Sequence, residues 1–212
     1  MMWHIFISEL NILTFYKIKN MPSCIEKIAG SIRPNCAHPL TAGYTGRGVL
    51  IPYSAITALV QNSENPRIVE NITAGTVVEI DNTPVTSAFT GSNKASNAES
   101  GRKQITKTFA FRIPLRGAEN SKEIVEPLFL SPLGFIAILE KKDKVGDGSF
   151  EVIGLQSALR TNDDGLTQDE YANAGDVMVT MSCVEDWYEA DLFDTDYNTT
   201  LEKFNALLEG AI

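Results

Sequence analysis

A chain of 212 residues, 43% hydrophobic and 21% charged, is long enough and apolar enough to bury the core of one large domain. Its net charge of −9 is uneven: between Asp143 and Thr200 fourteen Asp or Glu stand against Lys144 and Arg160, a net of −12, which leaves +3 for the remainder. Such an acidic surface repels phosphate and excludes sequence-specific nucleic-acid binding, and the three cysteines, Cys24, Cys36 and Cys183, are too few and too scattered for a disulfide framework. Free thiols in a reducing compartment are expected.

Residues 1–20 crowd Trp3, Ile5, Phe6, Ile7, Leu10, Ile12, Leu13, Phe15, Tyr16 and Ile18 into a leader. Glu9 interrupts it and no basic start precedes it, so it fits neither a signal peptide nor a membrane span. Met21-Pro22-Ser23-Cys24 sits where a lipoprotein cysteine would, but the proline and the preceding lysines count against lipidation. The preferred account is that translation starts at Met21 and that the leader, 1–20, is no part of the native protein. Residues 21–48 are dense in Gly, Pro, Ser and Asn and read as an extended arm, with Gly43 to Gly48 as turn chemistry.

Residues 49–197 are expected to form the β domain. Val49 to Tyr53 opens it, Ser54 to Asn62 is ambiguous between strand and helix, and Thr76 to Ile80 is a strand closed by an Asp81-Asn82 turn. Thr90 to Lys103 is polar with nothing to bury, and reads as a mobile loop or a long hairpin tip. From Ile105 to Leu115, Phe109, Phe111, Ile113 and Leu115 share one face, the mark of a half-buried strand. Asn120 or Ser121 is expected to cap a short helix over Lys122 to Glu126, whose extension Pro127 disfavours and which Pro132-Leu133-Gly134 stops in any case. Phe135 to Glu140 is apolar throughout, a central strand covered on both faces, joined by a glycine-bearing hairpin to Phe150–Ile153.

About twenty polar residues then separate Gly154 from Val177, too many for a hairpin turn and read as a working loop over Asn162–Asp176. Val177, Val179, Met181 and Cys183 alternate with Met178, Thr180 and Ser182, a clear strand. Residues 198–212 are expected to form an amphipathic helix capped by Asn198 or Thr199, with Leu201, Phe204, Leu207 and Leu208 at helical spacing and Gly210 at its end. The fold class is therefore mainly β: a β-sandwich or barrel with one mid-chain helix and a C-terminal helix, an extended N-terminal arm and long loops.

Little in the chain points to catalysis. The two histidines, His4 and His38, lie outside the β domain, and no nucleophile elbow, zinc-protease helix or Cys-x-x-Cys occurs. Cys24, Cys36 and His38 fall short of the four ligands of a structural zinc site. Asp194, Asp196 and Asn198 have the 1-3-5 spacing of a calcium loop, but Thr199 stands where glycine is needed and Asn205 where glutamate belongs. Glu185, Asp186, Glu189 and Asp191 flank Trp187 and Tyr188, the composition of a sugar-cleaving site, although acids clustered on one segment are usually a solvated surface. Neither a catalytic residue, a metal nor a cofactor is expected.

The order of elements from Phe150 to Phe193 resembles the C-terminal part of tail-tube-like and head–tail ring virion proteins of tailed phages infecting Bacteroidetes, the crAss-like phages included. Val152-Ile153-Gly154-Leu155, Gly175-Asp176, Val177 to Ser182 and Glu185 carry the resemblance, which covers roughly the last third of the chain. It implies a virion structural protein, assembled in the bacterial host cytoplasm. Its subunits would form a homo-oligomeric ring or tube, contacting other virion proteins, with DNA passing through the channel without sequence-specific binding and no membrane involved. Asp163, Asp164, Asp169 and Glu170 are the candidates for subunit contact or channel lining. The first hundred residues carry none of the resemblance, so tail tube and connector ring both stay open. The rival reading is a surface or periplasmic lipoprotein with a β-sandwich binding module, followed by a carbohydrate-active enzyme.

Overall fold

A computed structural model describes residues 43–81, 90–97, 103–113, 117–144, 146–168 and 177–210. The leader 1–20, Cys24, Cys36, His38 and the proposed start at Met21 lie outside the described residues. Among the described residues eleven strands form two open sheets and no closed barrel, so of the two expected β architectures the layered one is found.

The larger sheet has the order β2-β3-β11-β8-β7-β1-β4. Here β1 is Tyr44–Pro52, β2 Ile56–Gln61, β3 Ile68–Ala74, β4 Val78–Asp81, β7 Phe135–Lys141, β8 Phe150–Ile153 and β11 Asp191–Leu192. The smaller sheet has the order β5-β6-β10-β9, with β5 Thr90–Asn97, β6 Lys103–Ile113, β9 Arg160–Gln168 and β10 Val177–Glu185. Between the sheets lies an apolar layer to which the larger contributes Leu50, Ala137, Leu139 and Ile153 and the smaller Phe109, Phe111, Ile113, Val179, Met181 and Cys183. A second layer lies on the other face of the larger sheet, where Val49, Ile136, Ile138, Phe150 and Val152 pack against Phe204 and Leu207. Strand β7 thus feeds both layers with alternate residues. This is why its sequence is apolar without interruption.

Several expectations are corrected. The glycine-rich stretch ending the arm is already sheet: β1 starts at Tyr44, with its pairing to β7 shifted between Tyr44 and Gly48. Of the two readings of Thr90–Lys103 the long hairpin is found and the mobile loop is not, because β5 pairs antiparallel with β6 from Thr90↔Ala110 to Asn97↔Lys103. As an edge strand, β5 has one hydrogen-bonding neighbour and little need of apolar residues. Nor is Asn162–Asp176 a loop over its length, since its first part belongs to β9. Opposite the step from Val179 to Met181 in β10, β9 runs from Leu166 back to Thr161, so Asn162–Gly165 bulges out of register. Strand β3 carries no expectation from the sequence, although Ile68, Val69 and Ile72 mark it.

The helices also differ in detail. Helical backbone runs from Ala118–Asn120 through a wide π turn at Ser121–Val125 into Glu126–Leu130, so it extends past Pro127 and ends just before Pro132-Leu133-Gly134, the expected stop. Proline stands in the first turn of the last segment, where its missing N–H costs least. No side chain caps the start, which falls at Gly117 rather than Asn120 or Ser121. The C-terminal helix is Tyr197–Glu209, and its cap is Asp196, which accepts the Thr199 N–H at 2.9 Å, rather than Asn198 or Thr199.

Two glycines make the crossing between sheets possible. After β8, Gly154 turns with φ +91°, and a Cβ there would meet the Phe135 carbonyl at 2.7 Å. At Gly134 φ is +76°, and a Cβ would clash with the Leu159 carbonyl. That closeness lets Phe135 and Leu159 exchange two backbone hydrogen bonds, of 2.9 and 2.8 Å, before the chain enters β9 of the other sheet.

Candidate functional site

Alternation dictates which polar groups face each other. On β6 Lys107 is in phase with Phe109, Phe111 and Ile113, and on β10 Glu185 is in phase with Val179, Met181 and Cys183. Both therefore point into the layer between the sheets, where their side chains are 1% and 2% exposed and the Lys107 Nζ lies 2.7 Å from the Glu185 Oε2. The other carboxylate oxygen accepts the backbone N–H of Gly154 at 3.1 Å and of Gln156 at 3.3 Å. One buried ion pair in the smaller sheet thereby holds the turn that leaves the larger one. Cys183, directly opposite Lys107 in register, is a buried free thiol. Burial pushes it up to about 12, with Glu185 adding to the shift and Lys107 opposing it.

A second cluster is open to solvent. Leu139↔Glu151 and Glu151↔Asp191 are cross-strand partners, so Lys141, Glu151 and Asp191 lie on the same face of neighbouring strands. The Lys141 ammonium sits on the Glu189 carboxylate, 3.7 Å from Glu151 Oε2 and 3.6 Å from Asp191 Oδ1. Tyr44 donates its hydroxyl to Glu151 at 2.6 Å. Burial, then the Glu151 charge, hold the Tyr44 phenol far above its ordinary range. For Lys141 burial works against the charge, but the bond to Glu189 and the charges of Glu151 and Asp191 outweigh it and raise its pKa. Asp191 fares differently. Burial raises it to about 7, Lys141 opposes the rise, and Glu189, Glu151 and Asp147 reinforce it.

These groups floor a polar cleft of about 360 Å³ lined by Tyr44, Asn93, Thr108, Lys141, Glu151, Ile153, Tyr188 and Glu189. Among the described residues no group of three or more His, Cys, Asp or Glu is placed to hold a metal ion, and the cation of this cluster is Lys141 itself.

A third set of contacts fixes the C-terminal helix. Glu140, next to Lys141 but on the opposite face of β7, accepts the Thr45 hydroxyl at 2.9 Å and the Tyr197 hydroxyl at 3.1 Å. Arg47 lies 3.5 Å from the same carboxylate and donates to Asn205 at 2.9 Å. The helix and the β body share one core, and Phe204, fully buried against Phe150, contributes about 1.5–3 kcal/mol by its burial.

The sequence-predicted positions are distributed as follows. The four carboxylates around Trp187 and Tyr188 do not converge: Glu185 is sealed with Lys107, Asp186 is exposed, and Glu189 and Asp191 meet at Lys141. The solvated face expected for them is wrong for Glu185, because its position continues the apolar stripe of β10. Of the calcium-loop residues, Asp194 pairs with Lys203 at 2.6 Å and Asp196 caps the helix. Asp163 and Asp164 lie in the bulged part of β9, with side chains outside the described residues, and Asp169 and Glu170 lie outside them altogether. Sequence reasoning missed Lys107, Lys141, Glu140 and Glu151. The signal was there, since a charge in phase with an apolar stripe marks a buried group in need of a partner. No family model, characterised protein or solved structure matches the chain.

Proposed function

We propose that the chain is a structural subunit of a phage particle, a ring or tube component of the tail or of the head–tail junction, around a channel through which DNA passes. The observation that supports this most is strand β2, an edge of the larger sheet among the described residues. Ile56-Thr57-Ala58-Leu59-Val60-Gln61 contains no charge and no proline, and Leu59 and Val60 are 38% and 45% exposed. Soluble monomers guard edges with lysine, proline, bulges or a covering segment, because unpaired N–H and C=O groups invite another strand. The two irregularities in the pairing of β2 fall at Ile56/Ala58 and Val60/Gln61, which leaves Ala58-Leu59-Val60 as the regular stretch. Strand β4 is the opposite edge of the same sheet. Joining β2 of one copy to β4 of the next is a head-to-tail contact, the kind that closes into rings or propagates as tubes.

In this reading Asp163, Asp164, Asp169 and Glu170 are candidates for a neighbour contact or the channel wall, where negative charge lets DNA slide without being held. Mass photometry and negative-stain microscopy of the purified chain, alone and with the products of neighbouring genes, test the proposal. Closed rings or tubes are expected, and Leu59→Lys is expected to disperse them while leaving the melting temperature of the monomer in place. A chain that stays monomeric at high concentration in every mixture would end the ring reading.

A further inference from the structure

We propose that Lys141, Glu151, Glu189 and Asp191 form a pH-operated clasp on the segment Trp187–Leu192, closed while Asp191 is protonated and loosened once it ionises. The inference stands on the geometry of the cluster and does not depend on the ring reading. Three carboxylates share one ammonium, and the ammonium sits on Glu189, the most exposed of the three. Asp191 Oδ1 is left buried without a hydrogen bond, at a distance from Lys141 past hydrogen-bonding range. A carboxylate so placed is stable as the neutral acid and poorly stabilised as the anion.

The groups that face Asp191 are Lys141 from β7, Glu151 from β8, bonded in turn to Tyr44 of β1, Glu189 from its own segment, and Asp147 from the turn Gly146–Ser149. Four are acids or an acid-bonded phenol, and one is a cation. Ionisation therefore takes the four-group cluster from a net charge of −1 to −2 in a buried place, which matches the direction in which Asp191 is shifted, up to about 7. The structure offers a route for relief. Strand β11 is only two residues long, and its Asp191 N–H donates to the Arg67 carbonyl at 3.0 Å. The segment before it is held by Lys141–Glu189, by the Val152 N–H to the carbonyl of buried Ala190 at 2.7 Å and by the Arg67 guanidinium over Trp187. Asp191 thus moves against the anchored Ala190 and Leu192. Swinging Asp191 outward hydrates it at the cost of those contacts.

Trp187 reports on the clasp directly. In a Trp3→Phe background its emission is expected to change between pH 5 and 9 with a midpoint near 7, while far-UV circular dichroism stays constant. In the same range amides of the segment should become about tenfold less protected, after correction for intrinsic exchange, for each pKa unit that opening relieves. Asp191→Asn is expected to abolish the emission transition. Glu189→Gln removes one of the charges that raise Asp191 and frees Lys141 toward it, so the midpoint should move to lower pH. A flat emission profile in the Trp3→Phe chain, a transition that survives Asp191→Asn, or an unmoved midpoint in Glu189→Gln would each overturn the clasp.

Discussion

The layer between the sheets holds two lysine–carboxylate sites that differ in balance and in access to water. At Lys107–Glu185 one cation meets one anion, both are sealed, and the spare carboxylate oxygen takes two backbone N–H groups. At Lys141 one cation serves three carboxylates beside an open cleft. Charge balance and burial together separate the roles. A charge-matched, sealed ion pair is a fixture that specifies how the sheets meet, whereas a charge-unmatched, half-buried cluster holds a group whose protonation is undecided near neutral pH.

The comparison breaks most sharply at the sealed pair. Lys107→Met leaves Glu185 charged and buried with only its two backbone donors, and about 3–5 kcal/mol of stability should be lost, read from urea or thermal unfolding. Adding Glu185→Gln should recover most of that loss, since the amide oxygen still accepts from Gly154 and Gln156. If the single variant unfolds at the wild-type midpoint, the pair is not the fixture described.

The open cluster sharpens the contrast through pH. Asp191 has its folded pKa raised from 3.8 to about 7, so it binds protons more tightly folded than unfolded. Its contribution is fully present below the unfolded value and is lost as pH rises through about 7. Unfolding free energy should fall between pH 5 and 8.5 by an amount on the order of a few kcal/mol, and Asp191→Asn should flatten the profile. A stability that rises over this window would contradict the burial assigned to Asp191.

How much of this was legible in the sequence follows from where each residue packs. The alternation of Phe109, Phe111 and Ile113, and of Val179, Met181 and Cys183, announced β6 and β10 because each has one face in the core. The unbroken Phe135–Glu140 announced a strand between two apolar layers. Strand β5 was legible only as one of two readings, the long hairpin, and β9 not at all, because edge strands need few apolar residues and β9 adds a bulge that breaks what periodicity it has. The ionic sites were half legible. Lys107 and Glu185 carry a signal in their phase, but which lysine meets which acid depends on pairings between strands far apart in the chain, and these follow from topology. The π turn that admits Pro127 has no such signal.

A surface pair supplies the other end of the scale. Asp194 and Lys203 lie 2.6 Å apart with both side chains about a third exposed, and the same ammonium also bonds the Glu70 carbonyl at 2.7 Å. The hydrogen bond from Lys203, then that from Thr195, hold Asp194 below its ordinary value, so any contribution exists above the unfolded pKa and disappears as pH falls through the folded one. Water competes for both partners here, and salt screens them. Thr195 and Lys203 use different oxygens of Asp194, so Asp194→Asn removes the charge and keeps an acceptor for only one of them. Its expected cost is within about 0.5 kcal/mol in low salt and close to nothing in molar salt. The contact is shorter than Lys107–Glu185, at 2.6 against 2.7 Å, so distance alone ranks the surface pair first. Burial ranks it last. If Asp194→Asn destabilised the protein as much as Lys107→Met, separation rather than desolvation would govern the ion pairs of this fold, and the contrast between the sealed and open sites would lose its basis.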